Sequence, residues 1–176
     1  MIQVVYMLLM SMLLSTATGY SNTKESKTTN KRKKQTEQIR PSDQKSVLGL
    51  AVAPMPTVRI GFIGLGMRGT PAVYRYTFIE GVEIKALCDL SQEYIDRAQK
   101  KLKNENLPKA DEYAGIDAWK KLCERDDIDL IYICTDWETH TPMAVYAMQQ
   151  GKHVAIEVPA ATTVNECWDL VNTAEK

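Results

Sequence analysis

An α/β architecture, a parallel sheet with helices on both faces, follows from three features of this 176-residue sequence. Short β-prone runs alternate with helical stretches from Thr57 to Lys176, and strands separated by crossover helices build parallel sheets. The first strand runs directly into a glycine-patterned turn, Gly64-Leu65-Gly66-Met67-Arg68-Gly69. A carboxylate, Asp89, falls 20 residues past Gly69, at the end of the second strand. Together these specify a Rossmann-type, doubly wound sheet.

The elements follow in order. Residues 58–63 (Val-Arg-Ile-Gly-Phe-Ile) read as the opening strand. A helix is expected over residues 70–79, with Pro71 at its first position, where the missing N–H costs nothing. A strand over 83–88 and a helix over 91–103 come next, then a second helical piece over 116–123. Residues 128–134 (Ile-Asp-Leu-Ile-Tyr-Ile-Cys) form a strongly β-prone strand. A helix over 142–150 stops at Gly151, and residues 153–158 give another strand. Thr163-x-x-Glu166 is a capping box that opens a last helix. The chain has no internal repeat.

Composition divides the chain into three zones. The whole is 44% hydrophobic and 25% charged, as in ordinary globular proteins. Its zero net charge hides a segregation: residues 21–46 hold eight basic and three acidic side chains, whereas residues 57–176 hold 14 and 19. An acidic folded part without a basic stripe argues against nucleic acid as a partner. Residues 2–14 are almost all apolar and are followed by Ser15-Thr16-Ala17-Thr18-Gly19. At ~1.5 Å per residue such a run is too short for a bilayer core of ~30 Å, and the small-residue exit marks an export signal. Residues 1–20 are therefore read as a signal peptide, leaving no membrane span after its removal, with the mature chain periplasmic or secreted. Residues 21–56 are read as a polar linker, of which the apolar stretch 47–56 is expected to lie against the folded part. Residues 57–176 form the domain.

Two histidines and four scattered cysteines, with no C-x-x-C pair, give neither a zinc site nor a disulfide framework. Cys88, Cys123, Cys134 and Cys167 read as small buried hydrophobes, and Met143, Val145 and Met148 as helix core. Chemistry concentrates instead at the carboxyl ends of strands. Gly64 permits a tight turn, Gly66 lets backbone approach a pyrophosphate, and Gly69 allows close helix–strand packing. The helix that follows offers its N-terminal amides to phosphate. Asp89 is placed to bond a ribose 2′-hydroxyl, and its charge would repel a 2′-phosphate, favouring NAD over NADP; a strand-end or capping aspartate is the alternative.

Thr135-Asp136-Trp137-Glu138-Thr139-His140-Thr141-Pro142 follows the strand that ends near Cys134. Trp137 could stack beside a nicotinamide or sugar and His140 could relay a proton. Equally, Thr141 and His140 could cap the helix while Trp137 packs at a domain boundary. Glu157 ends an apolar strand, which points to cofactor or substrate contact. His153, at the opposite end of that strand, reads as structural.

The turn, the Thr135–Pro142 segment and Gly151-Lys152-His153…Glu157 resemble the Gfo/Idh/MocA group of sugar-handling oxidoreductases. Within it, Met67-Arg68, Trp137-x-x-His140, Glu157-Val158-Pro159-Ala160-Ala161 and Glu166-Cys167-Trp168 resemble glycoside hydrolase family 109. Dehydrogenases of the wider group carry Glu-Lys-Pro; here Val158 takes the lysine position and cannot relay a proton, as in the glycosidase branch. The resemblance implies an exo-acting α-N-acetylgalactosaminidase holding NAD, which accepts hydride from C3 of the sugar. The C3 ketone acidifies C2, the glycosidic bond leaves by elimination, water adds, and hydride returns with no net redox. It also implies that Met67, Arg68, Asp89, Trp137, Glu138, Thr139, His140, Glu157 and Val158 contact NAD. The acid/base residues and the sugar pocket, in an α+β substrate domain, are expected beyond Lys176. The chain is thus read as an N-terminal portion that alone binds NAD at best weakly and does not hydrolyse glycosides. A glycan with terminal N-acetylgalactosamine is the implied substrate, and homo-oligomerisation stays open. A sugar or polyol dehydrogenase and a non-catalytic nucleotide-binding remnant are the competing readings.

Overall fold

Alternating side chains of the opening strand supply two cores at once. In β1 (Val58–Ile63), Ile60 and Phe62 point to one face and Ile63 to the other, all at most 2% exposed. A computed structural model describes residues 44–176; the expected signal peptide and residues 21–43 lie outside the described residues. Five parallel strands form one sheet: β1, β2 (Val82–Asp89), β3 (Asp111–Ala114), β4 (Leu130–Ile133) and β5 (His153–Ile156). Their spatial order is β3-β2-β1-β4-β5. The chain winds outward from β1 to β3, then crosses back to β4 on the other side of β1. The carboxyl ends of β1 and β4 therefore flank the reversal point where open α/β sheets bind ligands.

Helices α1 (Gly69–Tyr76) and α2 (Gln92–Asn104) cover the first face. Ala72, Val73, Ile95, Ala98 and Leu102 pack there on Ile60, Phe62 and Leu87. On the second face lie α3 (Ala118–Cys123) and α4 (Trp137–Gln149), whose Leu122, Cys123, Ala144 and Ala147 meet Ile63, Ala86, Cys88, Ile131 and Ile133. The last helix, α5 (Val164–Ala174), has no fully buried residue; Leu170 packs on the edge of the second core. Its capping box is formed as the sequence predicts: Glu166 N–H donates to Thr163 Oγ1 at 3.2 Å and Thr163 N–H to Glu166 Oε2 at 2.8 Å. No helix among the described residues is long and apolar enough to cross a membrane.

Several boundaries differ from expectation. Helix α1 ends at Tyr76, not residue 79, because Phe78 and Ile79 donate to Arg75 and Tyr76 carbonyls in tighter, i→i+3 fashion. Pro71 is its third residue, still in the turn that needs no N–H donors. Helix α4 begins at Trp137, five residues before Pro142. Asp136 is the N-cap, accepting the Thr139 N–H at 3.1 Å, so Thr141 and His140 lie inside the helix and do not cap it. Pro142 has no N–H for the Glu138 carbonyl, and both residues are exposed, where water can serve that group. Strand β3 was not expected; Asp111-Glu112-Tyr113-Ala114 lies at the sheet edge and lacks an apolar alternation. Residues 47–56 do not lie flat: Leu48 is 91% exposed and Leu50 67%. Contact with the domain is made just before them, by the Gln44 side-chain amide, which donates to the Asn172 carbonyl, and by Lys45 N–H, which donates to that of Glu175. Cys88 and Cys123 are buried as expected, Cys134 is partly buried, and Cys167 is exposed on α5, contrary to expectation. Burial pushes the Cys88, Cys123 and Cys134 thiols up to about 12, so they stay protonated.

Candidate dinucleotide site

The turn after β1 is shaped by two glycines whose side-chain space is occupied and one that stands free. Gly64 has φ +84°, and a Cβ there would lie 2.8 Å from the Cys134 carbonyl. A Cβ on Gly69 would come within 1.8 Å of the Gly64 oxygen, so the closeness it permits is between helix α1 and the turn itself. Gly66 has nothing within 4 Å of a Cβ, which would project into open space. Arg68, at the N-cap of α1, makes no side-chain cap bond. No side chain caps the start of α1, where the Thr70 N–H donates to the Gly66 carbonyl at 3.3 Å and Pro71 has no N–H, so the amide of Gly69 is the one the first turn can turn towards a phosphate.

Asp89 closes the turn from the neighbouring strand. Its Oδ2 accepts the Leu65 N–H at 2.6 Å and its Oδ1 the Ser91 N–H at 2.9 Å. Each oxygen retains a second lone pair. The strand-end and ribose-binding readings of Asp89 are therefore compatible: both oxygens fix backbone, and each keeps acceptor capacity for a hydroxyl.

These groups surround an open cavity of about 470 Å³, with Gly64, Gly66, Asp89, Ile116, Thr135 and Met143 among its lining. That volume suits a nucleotide half. Of the sequence-derived site residues it gathers Gly64, Gly66, Asp89 and Thr139. Thr139 Oγ1 donates to Thr135 Oγ1 at 2.8 Å, tying the first turn of α4 to the loop after β4. Met67 and Val158 stand outside the cavity at 86% and 81% exposure, and Arg68, Trp137 and Glu138 are exposed nearby in sequence to its rim. His140 is buried: Nδ1 lies 2.8 Å from the Pro159 carbonyl oxygen and Nε2 3.1 Å from that of Thr135. It joins the loop after β4 to the loop after β5, aided by Thr141 Oγ1, which donates to the Ala160 carbonyl at 2.9 Å. Glu157 is partly buried just past β5; its N–H donates to the Ile133 carbonyl at 2.9 Å.

Sequence reasoning missed one wall. Leu90, Gly115, Ile116, Asp117 and Trp119 line the cavity on the β2–β3 side. Gly115 follows β3, so overlooking that strand hid the loop; the Gly115-Ile116 pair after a tyrosine was the available signal. Met143, read as helix core, packs on the second core and also faces the cavity.

The parallel order, the crossover at β1, the glycine turn and the carboxylate at the end of β2 define a dinucleotide-binding α/β domain. Residues 58–176 match the model of the Gfo/Idh/MocA family, described as an oxidoreductase family with an NAD-binding Rossmann fold. The chain belongs to that family, and NAD is the cofactor its turn and Asp89 fit. It is similar to an alpha-N-acetylgalactosaminidase of Bacteroides fragilis, 63% identical over 133 residues that cover 76% of this chain and 31% of that protein. A glycosyl hydrolase family 109 protein of Bacteroides thetaiotaomicron is 60% identical over 138 residues, covering 78% and 30%. The chain thus spans about a third of the length of the curated relatives it matches. Among solved structures, myo-inositol dehydrogenase from Lactobacillus casei, in complex with NAD(H) and myo-inositol, superposes with TM-score 0.57 at 25% identity, covering 66% of this chain and 33% of that one. An NAD-binding oxidoreductase from Klebsiella pneumoniae gives TM-score 0.55 at 26% identity, covering 68% and 32%.

Proposed function

We propose that this chain is the cofactor-holding part of a family 109 glycosidase that releases terminal α-N-acetylgalactosamine with no net redox. The observation that carries the reading is the 63% identity to an alpha-N-acetylgalactosaminidase over 133 residues, 76% of this chain. The composition of the site supports it. Val158, where dehydrogenases of the group carry lysine, is uncharged and 81% exposed, so this position cannot polarise a hydroxyl as a net dehydrogenase requires.

When bound, NAD supplies a hydride acceptor that later becomes the donor. The chain's own residues hold and orient it. Gly66 leaves room for the pyrophosphate against the backbone, and the uncapped start of α1 meets its charge. Asp89 accepts from the adenosine ribose, and Leu90 and Ile116 offer apolar contact to the base side of the cavity. Glu157, on the far side of β1, faces the reactive half. His140 and Thr141 brace the loop after β4, which leads into Trp137 at the start of α4, against the loop after β5, which carries Glu157. The sugar pocket and the acid/base groups belong, on this reading, to sequence corresponding to the remaining length of the relatives.

A chimera tests this: the chain replaces the corresponding residues of the Bacteroides fragilis relative. Release of nitrophenol from 4-nitrophenyl α-N-acetylgalactosaminide, without NADH absorbance accumulating, is the expected result. NADH accumulation with a free sugar or polyol would instead make the chain part of a dehydrogenase. Neither signal from a folded chimera would leave a nucleotide-binding module.

A further inference from the structure

Tyr132 stands on β4, beside β1, with its ring held by two others. It stacks on Phe62 at 5.3 Å between centroids and 27° between planes, and meets the Tyr76 ring edge-on at 5.4 Å. Phe62 and Tyr76 also meet edge-on at 5.4 Å, so the three rings lock one another. This cluster sits on the face covered by α1 and α2, and the phenol reaches from it towards the residue that follows β5. There the Tyr132 hydroxyl donates to Glu157 Oε1 at 3.2 Å. Burial, with Cys134 and Glu157 adding to it, pushes the phenol up to about 12, which keeps the hydroxyl a donor at neutral pH. Glu157 thus has two anchors on the same neighbouring strand, its backbone N–H on Ile133 and its carboxylate on Tyr132.

The strand order says which part of a dinucleotide that carboxylate serves. Asp89 ends β2, one strand to one side of β1, and Glu157 follows β5, two strands to the other. Three inter-strand steps of about 4.8 Å put the two roughly 14 Å apart across the pyrophosphate turn. With adenosine at Asp89, the nicotinamide ribose falls to Glu157. Resting on the NAD-handling function proposed above, we infer that Tyr132 is a positioning residue that aims the Glu157 carboxylate at the nicotinamide-ribose half of the cofactor. It touches neither cofactor nor substrate.

Ligand-observed NMR titrations of the 176-residue chain with NAD⁺ and with ADP, which lacks the nicotinamide ribose, test this. The readout is the ratio of the two affinities, which loosened folding alone would not change. In Tyr132→Phe, NAD⁺ affinity should fall roughly three- to tenfold, the scale of one typical hydrogen bond, with ADP affinity unchanged. Glu157→Gln should lower the same ratio, and the double variant should be no worse than Glu157→Gln alone. Glu157→Asp, which keeps the charge but withdraws it from the Tyr132 hydroxyl, should behave like Tyr132→Phe and serves if the latter fails to fold. A wild-type ratio in Tyr132→Phe or Glu157→Asp overturns the inference alone. Wild-type protein that binds ADP and gains nothing with NAD⁺ also overturns it, whereas wild-type protein that binds neither ligand sinks the functional proposal with it.

Discussion

Single residues at opposite ends of the strands divide the work of binding and of stability. At the carboxyl ends, Gly66 and Gly69 look alike in sequence and differ in consequence. Gly66→Ala should leave unfolding free energy within ~0.5 kcal/mol of the parent, because a Cβ there meets nothing within 4 Å. Gly66→Val, filling the same space, should abolish NAD⁺ binding in a titration while circular dichroism stays native. Gly69→Ala should cost ~1–3 kcal/mol in urea unfolding, since its Cβ would overlap the Gly64 carbonyl. At the amino ends, Arg59 on β1 grips Asp129 with Nε at 2.9 Å and Nη2 at 2.6 Å, and its backbone N–H adds a third bond at 2.9 Å. These bonds hold the Asp129 carboxyl down at about 2. A carboxyl held below its unfolded value of ~3.9 stabilises the fold fully above that pH, and the gain drains away as pH falls towards 2. Asp129→Asn should therefore lower the thermal midpoint at pH 7 and flatten its decline between pH 4 and pH 2, followed by calorimetry.

At the level of elements, stability is graded from the centre of the sheet outward. Strands β1 and β4 and helix α4 contribute side chains with almost no exposure, whereas α5 contributes none. A helix so lightly packed depends on its ends. Replacing Thr163 with Ala removes the side chain that accepts the Glu166 N–H and should lower stability by about 1 kcal/mol. Amide exchange in α5 should then quicken, with α4 and β4 unaffected; uniform acceleration across the domain would contradict this grading. The same gradation explains which elements could be read from the sequence. β1 and β4 are short β-prone apolar runs at the middle of the sheet, and that composition reveals them. β3 is a sheet-edge strand of four residues, two of them acidic, whose pairing with β2 rather than its composition makes it a strand. The start of α4 was obscured by Thr141-Pro142, a plausible opening that Asp136 pre-empts by capping five residues earlier.

For the whole molecule, ligand binding and folding are linked. NAD⁺ bound only by the folded chain should raise the thermal midpoint with concentration, by about 2.7 kcal/mol of stability at a hundredfold excess over Kd. NADP⁺ at equal concentration should raise it less, because the Asp89 carboxylate would face the 2′-phosphate; equal shifts would contradict the role of Asp89. The sequence by itself determined the parallel α/β fold, the glycine turn, Asp89 and the capping box of α5, since each rests on residues close together in the chain and on the geometry of one turn or one strand. Only tertiary structure decided that β3 brings Gly115 and Ile116 to the cavity, that His140 turns inward between two loops, and that the Tyr132 hydroxyl meets Glu157. Those relations join residues on separate strands and loops, and their distances depend on strand order and register, which local periodicity does not encode.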